Sequence, residues 1–118
     1  MTAEQIEFVT AKTRELLAAD QTCREARDAA DAWLKAAAAG RADEAIGDYL
    51  KELEEDIIST DMLLAFAQSD HAKQVFGEEG QKGFVAHVRS LKDAGQEYCD
   101  CPSCQAALAI VEKKAELL

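Results

Sequence analysis

Apolar side chains recur along this chain at intervals of three and four residues, segment after segment, with helix caps in front of the runs. That period suits the α-helix and no other regular structure. Thr2-Ala3-Glu4-Gln5 reads as a capping box, and Ile6, Val9, Thr13, Leu16 and Leu17 follow at helical spacing, which predicts a first helix over about residues 3–19. Thr22-Cys23-Arg24-Glu25 reads as a second box. Behind it Ala26, Ala30, Trp33, Leu34 and Ala37 share a face that stops at Gly40, with Cys23 in the first turn and Trp33 in the core.

A third run carries Ile46, Tyr49, Leu50, Leu53 and Ile57 inward, while Lys51, Glu52, Glu54, Glu55 and Asp56 form a solvated face. Ser59 or Thr60 caps a fourth, broken segment with Leu63, Leu64, Phe66 and Ala67, which Ser69-Asp70 interrupts and which continues through Phe76 to Gly77. The chain restarts at Glu78, and Phe84, His87, Val88 and Leu91 keep the period to Gly95, with first turns weakened by Gly80 and Gly83. Pro102 opens the last helix, which runs through Leu108, Val111, Ala115 and Leu118.

No strand-like alternation and no internal repeat interrupts this pattern. The expectation is an all-α fold: an antiparallel up-and-down bundle of about five to six helices, joined by short turns, in a single domain over residues 1–118. Its expected core is Ile6, Val9, Leu16, Trp33, Leu34, Ile46, Leu50, Leu53, Leu64, Phe66, Phe84, Val88, Leu91, Leu108 and Val111.

Thirteen basic against 23 acidic side chains give a net charge of −10, which repels nucleic acid and anionic membranes. No export signal opens the chain and no run is long enough to span a bilayer, so a cytoplasmic location is expected. Thiols stay reduced there, and closely spaced cysteines favour metal or redox chemistry over structural disulfides.

Cys99-Asp100-Cys101-Pro102-Ser103-Cys104 puts three of the four cysteines into six residues, directly before a helix. C-x-C-x2-C suits a zinc knuckle, in which the following helix N-terminus favours thiolate. The fourth cysteine, Cys23, begins the second helix. Alternating helix directions place the starts of the second and last helices at the same end of a bundle, so Cys23, Cys99, Cys101 and Cys104 are the expected ligands of one zinc. An iron–sulfur cluster would use the same four. Exposed, exchangeable redox thiols and plain packing are the competing readings, since Cys104 aligns with Leu108, Val111 and Ala115.

His87 is expected to be a buried or boundary residue with one hydrogen-bond partner. Two helical turns before Gly95, it should lie about 12 Å or more from the knuckle and outside the ligand set. His71 reads as a surface or capping residue. No nucleophile elbow, phosphate-binding glycine loop, zinc-protease motif or dinucleotide fingerprint is present, and no enzymatic activity is expected.

Trp33-Leu34 in an alanine-rich helix, Leu53-Glu54-Glu55-Asp56-Ile57-Ile58 followed by Leu64-Ala65-Phe66-Ala67, and Tyr98-Cys99-Asp100-Cys101-Pro102-Ser103-Cys104 give most of the chain a resemblance. It resembles a group of small acidic helical proteins of anaerobic bacteria, often labelled as relatives of the ninety-kilodalton heat-shock chaperone. The glycine-rich lid and nucleotide motifs of the large chaperone are absent here, so the label implies at most a small ATP-independent chaperone. The residues themselves lead to a small cytosolic metal-binding adaptor or regulator with an unidentified protein partner. A thiol redox sensor or iron–sulfur protein is the alternative.

Overall fold

The computed structural model describes all of residues 1–118 and is all-α. Its seven helices are α1 (Ala3–Ala18), α2 (Arg24–Ala38), α3 (Ala42–Asp56), α4 (Thr60–Ala67), α5 (Asp70–Asp93), α6 (Pro102–Val111) and α7 (Lys114–Leu117). They pack as two compact units, one formed by Met1–Ile57 with Cys101–Leu118 and the other by Ile58–Asp100.

In the first unit the capping box at α1 forms as read: the Gln5 amide donates to Thr2 Oγ1 at 3.1 Å, and the Thr2 amide donates to Gln5 Oε1 at 2.8 Å. Val9, Thr13 and Leu16 then face the core. α2 packs on α3, where the Trp33 ring stacks on Tyr49 with centroids 5.8 Å apart. Tyr49 in turn shares a 2.8 Å hydrogen bond with the buried hydroxyl of Thr13, which ties α3 to α1. α6 packs against α1 and α3 and buries Ala106, Ala107 and Ile110. Small side chains let its backbone approach closely, and that shifts the buried stripe: Leu108 and Val111, expected inside, are only partly buried.

The second capping box does not form. Thr22 is buried, and its hydroxyl is bonded inward to the Leu16 carbonyl at 2.6 Å and to Ser103 Oγ at 2.8 Å. Cys23 becomes the N-cap instead, with no side-chain capping bond. The turn is held by Arg27, whose guanidinium donates to the carbonyls of Leu17, Ala19 and Thr22 at 2.9, 2.7 and 3.2 Å. The carbonyls of Leu17 and Ala19 belong to the end of α1, which leaves them without helical partners at the negative end of its dipole, and that of Thr22 belongs to the turn itself.

In the second unit, Ser59 caps α4 and Ser69 caps α5, each accepting a backbone N–H at 3.2 Å. The break expected after Phe76 falls at Gly77, whose φ of 74° and ψ of 170° bend α5 where a residue with a Cβ would be strained. α4 and α5 pack on each other, burying Leu63, Ala67, Ala72 and Val88. Phe66, expected in the core, is 38 % exposed. A single pair of helices, one of only eight residues and the other bent, cannot enclose every apolar residue it carries, and helical period gives no sign of that.

Candidate metal centre

The cysteine-rich segment is positioned from both sides. Just beyond the end of α5 Gly95 adopts φ 80°, and the chain then returns alongside the start of α4. There Thr60 N donates to the Glu97 carbonyl at 2.9 Å, Cys99 N donates to the Ile58 carbonyl at 2.8 Å, and Ser59 and Tyr98 form an antiparallel bridge. This pairing fixes the backbone of Cys99, whose side chain is buried. On the other side Pro102 occupies the first turn of α6, a position where its missing N–H costs nothing.

Cys101 is the N-cap of that helix, and its Sγ accepts the backbone N–H of Cys104 at 3.3 Å. This N–H to sulfur bond holds the Cys101 side chain at the start of α6, beside Cys104. Cys104 lies one turn on, buried on the inner face of α6. The three sulfurs of Cys99, Cys101 and Cys104 all lie within 4.8 Å of one another. Around a tetrahedral zinc with bonds of about 2.3 Å, thiolate sulfurs sit roughly 3.8 Å apart. The trio therefore matches one face of such a site with little rearrangement.

Cys23 is placed differently. It is exposed, it does not belong to the group of mutually close thiols, and it lies beside the carboxyl of Asp56 at the end of α3. Partial desolvation, and then the charges of Asp56 and Glu25, raise its pKa, against the lowering effect of the Ala26 backbone amide, which is near the sulfur without making a capping bond to it. Asp56 is itself raised, chiefly by burial, and its Oδ2 is buried without a hydrogen-bond partner. The bond between Thr22 and Ser103 nonetheless joins residues adjacent to Cys23 and Cys104. The starts of α2 and α6 thus meet within the first unit.

The sequence reading missed one neighbour of the segment. His87 Nε2 lies 3.1 Å from both carboxylate oxygens of Asp100, between the first two cysteines. Both side chains are about half exposed, so the expectation of a histidine remote from the knuckle is corrected. A knuckle emerging beyond the end of α5 would lie far from His87. The pairing of residues 97–99 with residues 58–60 instead folds the chain back toward the middle of that helix. Nothing in the spacing of His87 and Asp100 signals the pair, because it depends on that return. Among known proteins, no family model, no curated sequence and no solved structure matches this chain.

Proposed function

We propose that this protein is a small zinc-binding helical module, acting as an adaptor or regulator in a reducing cytoplasm, with Cys99, Cys101 and Cys104 as thiolate ligands. The mutual approach of the three sulfurs to within 4.8 Å carries the reading. The amide that Cys104 donates to Cys101 supports it, since it fixes the Cys101 sulfur next to Cys104 before any metal binds. Cys23 completes the tetrahedron in this reading, and the meeting of Thr22 with Ser103 is its support. When bound, the metal would replace the thiol protons and hold the knuckle in one shape, with its binding energy acting as folding energy.

Elemental analysis of protein purified without chelator or affinity metal tests this. About one zinc per chain is expected, lost together with thermal stability in Cys101→Ser and in Cys23→Ser. Full zinc and an unchanged melting temperature in Cys23→Ser would remove Cys23 from the ligand set and leave the trio. Absence of metal, with four titratable thiols of which two of the trio pair on mild oxidation, would replace this function by that of a redox sensor. The same sulfur separations favour that second reading, because neighbouring thiols can pair after a small movement.

A further inference from the structure

The second unit exposes apolar side chains that a helical pair would ordinarily bury. Met62 and Phe66 stand one turn apart on α4 and are 65 % and 38 % exposed, while Val75 and Phe76, just before the Gly77 bend, are 58 % and 44 % exposed. They are not scattered. The Phe66 ring meets Phe76 and Phe84 edge-on, each at 6.4 Å, and Phe76 lies 5.2 Å from Phe84. Beside these rings the helix backbone is bare, since a Cβ placed on Gly77 or Gly83 would meet nothing within 4 Å. A continuous aromatic and methionine surface of this kind marks an interaction site more often than chance exposure.

Charge selects among occupants. Residues 58–100 carry seven acidic and four basic side chains, a net charge of −3, within a chain of −10. Two of the four bases are already engaged, Lys82 with Glu79 at 3.5 Å and Lys92 with Asp61 at 2.5 Å. Asp70 opens the first half of α5 and Glu78 and Glu79 follow its bend, so acids lie at both ends of the stretch that carries Val75 and Phe76, with Lys73 the one base inside it. A second copy would bring another −10 against this surface, and an anionic lipid headgroup would be repelled as well. The surface is built on helices, where a partner helix finds ridges and grooves to pack into.

We infer that the face formed by Met62, Phe66, Val75 and Phe76 docks a cationic amphipathic α-helix of a partner protein. Apolar residues of that helix at positions i, i+3 or i+4 and i+7 meet the methionine and the rings, and its flanking lysines or arginines meet the acids. The inference does not depend on the metal reading, because none of the four side chains belongs to the cysteine segment.

The experiment is fluorescence anisotropy of the full chain with a labelled leucine–lysine amphipathic peptide of about 18 residues, roughly five helical turns. A scrambled peptide of the same composition and a leucine–glutamate counterpart serve as comparisons. Binding about tenfold tighter than to either comparison is expected, weakening as salt is raised. Met62→Gln and Val75→Gln should each lower the affinity about fivefold, and because both side chains are exposed, the far-UV spectrum should not change. Equal binding of the scrambled peptide would show mere charge attraction and overturn the proposal. So would affinity unaltered in both variants. Dimerisation in sedimentation experiments that Met62→Gln abolishes would assign the face to a second copy and overturn it too.

Discussion

Cys101 has two roles that ordinary substitutions would confuse. As N-cap of α6 its sulfur accepts the Cys104 amide, and as a member of the trio it offers a ligand. Serine is a better cap than cysteine and a far poorer zinc ligand, whereas alanine is neither. In chelator-treated protein, Cys101→Ser should melt at or above the wild-type temperature, while Cys101→Ala should lose about 1 kcal/mol. In untreated protein both should fall below wild type, as thermal denaturation with and without chelator would show. Tyr49 governs the alkaline limit. Burial lifts its pKa from 10.0 to about 12, against the lowering effect of its bond to Thr13. The folded state therefore keeps a proton that the unfolded chain gives up, and stability is intact below pH 10.0 and declines as pH rises toward 12. A shift of that size corresponds to about 2–3 kcal/mol. Tyr49→Phe should lose about 1 kcal/mol at neutral pH, with the orphaned Thr13 hydroxyl, and should lack this decline in urea titrations between those pH values.

The connection between α1 and α2 shows what an element requires beyond its own period. Periodicity and the box at Thr2 make α1 legible in sequence almost to the residue, because each of those signals acts within one helical turn. Thr22 carries the same local signal as Thr2 and is used otherwise, since burial against Ser103 and Leu16 outweighs one capping bond. Arg27 supplies the closure that no local pattern announces, with three donors on three carbonyls of the turn. Arg27→Gln should destabilise the protein by about 2 kcal/mol, well above the usual effect of a surface substitution, and urea denaturation would measure it. The same limit explains His87 and Phe66. One acquires its partner through a chain return, and the other lacks the neighbours to cover it; both depend on residues distant in sequence. The cysteine segment was readable because its three thiols are bound together by six residues of chain, whatever the rest does.

The first unit is assembled from residues 1–57 and 101–118, with the second inserted between its parts. Its core includes Ile110 and Leu117 from the far side of that insertion, and Gln5 at its beginning donates to the Glu116 carbonyl at 3.1 Å. A ribosome makes these pieces in order. By the time α4 and α5 leave the exit tunnel, α1, α2 and α3 are already outside it, with the surface meant for α6 still wet. The inserted helices, contiguous in sequence, have all their partners first. A chain of residues 1–100, tethered to the ribosome by a linker long enough to bring residue 100 outside the tunnel, should therefore show its second unit resistant to protease and its first unit cut readily. Resistance of the first unit should arrive abruptly once α6 emerges, and with it come Cys101 and Cys104. Maturation of the thiol cluster and closure of the older helices are, on this schedule, a single late event in the life of each molecule.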